Sequence, residues 1–110
     1  MTKVTIWQEK DEHHIKIEGH AGYGEAGNDI VCAGISTLAY TMINELTNLE
    51  KHGVMSSYQL TDGKIHIIFS GDEKIFEPVE SVIITGFEMI SENFPDNLTL
   101  TRGENKNKIC

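Results

Sequence analysis

The sequence predicts an α+β fold, a two-layer sandwich in which two helices cover a mostly antiparallel sheet of about five strands. Two pairs of short alternating segments, each pair separated by a few polar residues, indicate two β-hairpins. Two longer segments carry apolar residues at spacings of three and four, which indicates helices with one apolar face. The predicted order is ββαββαβ. No linker or repeat divides the 110 residues, so we expect a single domain over residues 1–110.

The first hairpin is predicted from residues 3–8 and 13–19, with a polar break at Asp11 and Glu12. In both segments apolar residues alternate with other residues: Val4, Ile6, Ile15 and Ile17. Trp7 belongs to the opposite face of its strand. A glycine-rich loop follows the hairpin.

The clearest helix is predicted over residues 29–51. Its apolar stripe is Val31, Ile35, Leu38, Met42, Leu46 and Leu49. Asn28 or Asp29 supplies the N-cap, and Gly53 stops the helix just past its end.

The second hairpin is predicted from residues 54–60 and 64–70, because the Asp62-Gly63 pair between them is typical of a tight turn. The uncovered face of the sheet needs its own cover. Trp7 and Tyr58 are expected to point toward that face, which makes a homodimer plausible.

The second helix is predicted over residues 75–93. Its apolar stripe is Phe76, Val79, Ile83, Phe87, Ile90 and Phe94. Pro78 is tolerated only in a first turn, so the regular part is expected to begin near Glu77. A short strand over 97–101 follows, and the tail from Gly103 is polar.

Composition narrows the classes of partner. The formal net charge is -8, from 17 acidic and 9 basic side chains. Such a chain repels phosphate backbones and anionic lipid, so we expect no nucleic acid and no membrane partner. Only Cys32 and Cys110 occur, the apolar stretches look shorter than a membrane span, and no secretory signal is seen. We therefore expect a reduced, cytoplasmic setting.

The chemistry is concentrated in residues 19–36, which hold five of the ten glycines. His20 stands at the end of a strand, and Cys32 stands in the first turn of a helix, where the helix dipole favours a thiolate nucleophile. The first-turn N–H groups are also placed to receive an oxyanion. The alternatives are that Cys32 is an inert buried thiol and that His20 is a solvated loop residue.

Other residues of this stretch have two interpretations each. Asp29 is an N-cap that also orients His20, or an N-cap alone. Ser36 lies one turn beyond Cys32 and either supports the site or bonds back to the Cys32 carbonyl. A metal set of His20, Cys32 and Asp29 lacks the paired spacing of zinc motifs, so we expect neither metal nor cofactor.

The runs Gly19-His20-Ala21 and 27–36 (Gly-Asn-Asp-Ile-Val-Cys-Ala-Gly-Ile-Ser) resemble the signature of the Prp family, the ribosomal-processing cysteine proteases. The resemblance implies a catalytic dyad of His20 and Cys32, with Asp29 and Ser36 as possible supporting residues. It implies a homodimer in the bacterial cytoplasm. It further implies that the substrate is the N-terminal extension of the twenty-seventh large-subunit ribosomal protein.

In this family the scissile bond follows a motif ending in aromatic residues, so the resemblance implies an apolar pocket beside Cys32. It also implies that the loop with Gly22, Gly24 and Gly27 covers the bound peptide. Two other hypotheses stay open: a non-catalytic ribosome-associated module that holds a basic tail, and a thiol redox or metal sensor at Cys32.

Overall fold

The elements of the computed structural model follow the predicted order, and the structure describes residues 1–25 and 27–103. The predicted polar tail beyond Gly103, with Cys110, lies outside the described residues. The elements are β1 (Thr2–Glu9), β2 (Glu12–Glu18), α1 (Ile30–Asn48), a 3-10 turn (Leu49–His52), β3 (Met55–Thr61), β4 (Lys64–Ser70), α2 (Glu73–Asn93) and β5 (Leu98–Arg102).

The five strands form one sheet in the order β3-β4-β2-β1-β5. Every neighbouring pair is antiparallel except β1 and β5, which run parallel. Helix α2 connects β4, which is next to one edge of the sheet, with β5 at the opposite edge. The mostly antiparallel α+β prediction is therefore confirmed, with one parallel pair at the edge.

Both hairpins close with two-residue turns. The first turn is Lys10-Asp11, with Lys10 at φ +56°. It lies one residue earlier than the predicted break at Asp11 and Glu12. The second is Asp62-Gly63, as predicted, with Gly63 at φ +69°. Because Gly63 has no side chain, the turn also leaves space for the imidazole ring of His20.

The core lies between the helices and one sheet face. Asp29 caps α1, which is followed by the 3-10 turn and ends at Gly53 in the left-handed conformation, at φ +89°. The fully buried large side chains come from both layers: Val4, Ile15, Met42, Leu46, Val54, Ile67, Phe69, Phe76, Phe87 and Leu98. Leu38 and Leu49 of the predicted stripe are only half-buried.

The second helix begins earlier than predicted. Asp72 is its N-cap and accepts a hydrogen bond from the Lys74 N–H, so Pro78 lies in the second turn rather than the first. The expectation of a start near Glu77 was wrong. Pro78 is exposed, so the Lys74 carbonyl that its missing N–H would have bonded lies on the solvent side of the helix.

The sheet face opposite the helices contains Trp7 but not Tyr58. Trp7 pairs with His14 and stacks on its ring, with centroids 4.6 Å apart. Tyr58 pairs with the buried Ile67, so it points to the helix side of the sheet. The prediction for Tyr58 was wrong because β3 is an edge strand whose exposed residues carry little apolar alternation to set its phase.

The helical segment Ile30–His52 is long and apolar enough by length and composition to cross a membrane, contrary to the expectation of no such stretch. The same criteria are met by the core helix of a soluble protein. Here the segment lays its buried residues, Met42 and Leu46 among them, against the sheet and α2.

Candidate active site

Cys32 lies in the first turn of α1, as predicted, and is half-buried against the edge of the core. It stands where the first helical turn meets the loop that leaves β2. Its side chain lines a cavity rather than filling the core. The alternative that Cys32 is a buried thiol therefore does not fit its position.

Asp29 joins this helix start to the loop. Its Oδ1 accepts the Cys32 N–H at 2.9 Å, and its Oδ2 accepts the N–H groups of Tyr23 at 3.0 Å and Gly24 at 3.2 Å. These bonds, first of all the one from Cys32, lower the pKa of Asp29 below its ordinary value. Asp29 is the N-cap and also the residue that ties the loop to the helix.

This capping changes the expected source of oxyanion stabilisation. The Cys32 N–H already donates to the Asp29 carboxylate, and the Ala33 N–H donates to the Asp29 carbonyl at 3.0 Å. In this conformation neither of these two N–H groups is free for an oxyanion. The carboxylate must give up the Cys32 N–H before that group can serve the reaction.

His20 follows the last residues of β2 and is exposed. The preceding Gly19 donates its N–H to the Gly63 carbonyl at 2.8 Å. A Cβ at Gly63 would lie 3.5 Å from His20 Nε2, which places the imidazole beside the β3–β4 turn. A Cβ at Gly19 would lie only 2.6 Å from the Met1 carbonyl oxygen, so this position requires glycine.

Two cavities meet at His20 and Cys32. The first has a volume of about 440 Å³ and contains all the residues predicted for the site, together with Ala33. Its lining consists of His20, Gly22, Gly24, Gly27, Asp29, Cys32, Ala33 and Ser36. Residues separated by a loop in the sequence thus share one space.

The second cavity has a volume of about 210 Å³ and adds apolar walls from the sheet and from α1. Its main apolar residues are Ile17, Ile35, Tyr40, Leu60 and Ile65. Sequence reasoning did not select Leu60 or Ile65 for the site, because a strand residue carries no local signal of the cavity it faces.

Ser36 lines both cavities. Within the part of the chain that the structure describes, its hydroxyl does not bond back to the Cys32 carbonyl, whereas the Thr37 hydroxyl donates to the Ala33 carbonyl at 2.8 Å. Ser36 thus faces the site with its hydroxyl available.

In residues 1–25 and 27–103, no three His, Cys, Asp or Glu side chains are grouped so that they could hold a metal ion. His20, Cys32 and Asp29 do share a cavity. The Asp29 oxygens, however, are engaged by backbone N–H groups rather than turned to a common centre with the other two.

Comparison with known proteins shows the family to which this chain belongs. The family model described as cysteine protease Prp matches residues 1–99. This chain belongs to the Prp family. The resemblance expected from the motif is thereby confirmed, and the protein is a cysteine protease.

Curated Prp relatives span nearly the whole chain. The ribosomal processing cysteine protease Prp of Bacillus subtilis is 27% identical over 108 residues, covering 92% of this chain and 96% of that protein. The Staphylococcus aureus protein of the same name is 25% identical over 99 residues, covering 88% and 92%.

Solved structures agree on the fold. A Staphylococcus aureus Prp crystal structure with a substrate peptide has a TM-score of 0.73 at 26% identity, covering 94% of this chain and all of that one. A Streptococcus mutans protein has a TM-score of 0.71 at 28% identity, covering 96% of each chain. The two-helix, five-strand Prp fold is therefore shown, whereas the roles of His20 and Cys32 stay a prediction.

Proposed function

We propose that this Prp-family protease is an endopeptidase in which Cys32 is the nucleophile and His20 the general base. The observation that carries the proposal is that these two side chains, from the start of α1 and the end of β2, line the same two cavities. A thiol and an imidazole at one cavity are the pair that nucleophilic acyl transfer requires.

The reaction proceeds by acyl transfer. His20 takes the proton from the Cys32 thiol, and the sulfur attacks the carbonyl carbon of the scissile peptide bond. As the tetrahedral intermediate collapses, the C–N bond breaks and His20 gives its proton to the leaving amine. His20 then takes a proton from a water molecule as that water attacks the thioester carbonyl. The C–S bond breaks, the carboxylic acid product leaves, and His20 returns the proton to the Cys32 sulfur.

The proposed substrate is the N-terminal extension of the twenty-seventh large-subunit ribosomal protein. The apolar second cavity beside Cys32 suits an aromatic side chain next to the scissile bond. A ribosomal protein is basic, which complements the formal charge of -8. The loop with Gly22, Gly24 and Gly27 already lines the first cavity, a position suited to covering a bound peptide.

We further propose that the protein acts in the cytoplasm, without a cofactor, as a homodimer. The sheet face opposite the helices, which carries the half-buried Trp7, is the surface that we propose for the dimer. Sedimentation equilibrium tests the assembly, and a monomer at the concentrations used for the cleavage assay would refute the dimer.

The decisive experiment incubates the purified protein with a synthetic peptide that spans the end of the extension. We expect one cut, located by mass spectrometry, and no cut with Cys32→Ala or His20→Ala. Cys110→Ser is the matched control, since it removes the other thiol and should cleave like the wild type. An intact peptide that binds both wild type and Cys32→Ala with equal affinity would refute the peptidase and favour the binding module.

A further inference from the structure

The side chain of His20 has no evident orienting partner. It is exposed, and within residues 1–25 and 27–103 its imidazole accepts or donates no hydrogen bond to another side chain. In a nucleophile–base pair, however, the base is normally oriented by a third group. At this site the orientation of His20 must therefore come through the backbone on either side of it.

The backbone after His20 is held by a residue far away in the sequence. The side-chain amide of Asn97 donates to the carbonyl of Ala21 at 2.9 Å, across 76 positions of sequence. Ala21 is only 1% exposed, so water cannot readily replace that bond. A carbonyl can only accept, so the nitrogen of the amide must face it. With the bond from Gly19 to Gly63 on the other side, both flanks of His20 are fixed.

Asn97 is itself held firmly. Its N–H donates to the Phe94 carbonyl at 3.0 Å, and its carbonyl accepts the N–H of the buried Thr2 at 2.9 Å. These bonds place the turn between α2 and β5, Phe94–Asn97, against the start of β1. The turn is therefore fixed to β1, and the Asn97 side chain extends from it to the site.

The same turn holds the loop at a second point. The ring of Phe94 meets the ring of Tyr23 edge to face, with centroids 5.2 Å apart and planes at 86°. Tyr23 also donates its N–H to Asp29. The segment between His20 and the helix start is thus attached to the α2–β5 turn by a polar and an aromatic contact.

We infer that Asn97 is a positioning residue for His20, acting through the Ala21 carbonyl. The inference rests on the proposed function, in which His20 is the base. Without the amide, the buried Ala21 carbonyl loses its partner and the chain at His20 can turn away from Cys32. Because misplacing a catalytic group by about 1 Å can cost on the order of 100-fold in rate, the effect should appear in kcat.

The test compares Asn97→Ala with Ser91→Ala as the matched control. The Ser91 hydroxyl donates to the Leu98 carbonyl at 3.1 Å, so it joins α2 to β5 in the same region without touching the loop. We expect Asn97→Ala to lower kcat at least about 10-fold with KM within about twofold, and Ser91→Ala to change kcat by less than about twofold. Circular dichroism checks that both variants are folded, and Asn97→Ser replaces Asn97→Ala if that protein is not.

A second readout does not depend on cleavage. The rate of Cys32 alkylation by iodoacetamide is measured against pH in a Cys110→Ser background. We expect Asn97→Ala to shift the profile in the same direction as His20→Ala, and Ser91→Ala to leave it unchanged. Equal shifts for Asn97→Ala and Ser91→Ala, or no shift for Asn97→Ala, would overturn the inference.

The two readouts separate this inference from the proposed function. If the wild type leaves the peptide intact but Asn97→Ala still reproduces the His20→Ala alkylation profile, the peptidase proposal fails and the positioning role stands. If the wild type cleaves and Asn97→Ala has an unchanged kcat and profile, the positioning role fails and the peptidase proposal stands.

Discussion

Replacing Gly19 by alanine tests how the strand end that carries His20 is built. Gly19 has φ +91°, and a left-handed backbone costs an alanine roughly 1–2 kcal/mol. The added Cβ would also lie 2.6 Å from the Met1 carbonyl oxygen, a backbone atom that cannot move without disturbing β1. Such overpacking costs about 1–3 kcal/mol more. We therefore expect Gly19→Ala to lower the free energy of unfolding by about 2–5 kcal/mol.

Gly53→Ala separates the two contributions. Gly53 has nearly the same backbone angle, φ +89°, but among the described residues no neighbouring atom lies within 4 Å of the position that an added Cβ would take. It should therefore show the backbone cost alone, roughly 1–2 kcal/mol. Urea denaturation followed by the fluorescence of Trp7, the one tryptophan of the chain, measures both variants. Equal losses for Gly19→Ala and Gly53→Ala would refute the role of the Met1 contact.

Three further predictions concern other parts of the molecule. The hydrogen bond to Glu80 raises the pKa of His13 above its ordinary value, although burial opposes it. The stabilisation by this pair is thus fully present below about pH 6.5 and lost as the pH rises through the raised pKa. His13→Gln should lower the urea midpoint more at pH 6 than at pH 9, and an equal loss at both would contradict the assignment. Phe87→Ala, at a fully buried site, should lower the free energy of unfolding measured with urea by about 3–5 kcal/mol. Val82→Ala, at a position on the same helix that is 69% exposed, should lower it little, and similar losses for the two variants would show that Phe87 is not in the core. Asp29→Asn turns an NH₂ group toward N–H donors of the loop, so amide hydrogen exchange at Tyr23 should become faster. Unchanged exchange would refute the role of the Asp29 carboxylate in holding the loop.

Much of the fold could be predicted because its signals are local. Asp62-Gly63 closes a hairpin through its own backbone preference, and Asp29 caps the helix through bonds to its near neighbours. Tyr58 and Pro78 were misplaced for a physical reason. The face of an edge strand is set by its partner strand, and the start of α2 is set by Asp72, which precedes the apolar stripe.

For the site, the sequence by itself determined which chemical groups are present and the local structure around each of them. A thiol in the first turn of a helix, a histidine at the end of a strand and glycines between them are properties of short segments. The motif in those segments also pointed correctly to the Prp family.

Only the tertiary structure decided that His20 and Cys32 face the same cavities, and that Asn97 reaches the carbonyl beside His20. It likewise placed β5 parallel to β1, which brings the α2–β5 turn to the site. The bond between Asn97 and Ala21 joins residues 76 positions apart, and its geometry follows from how the layers pack. No local preference of the chain specifies such a distance, so no segment read alone can reveal it.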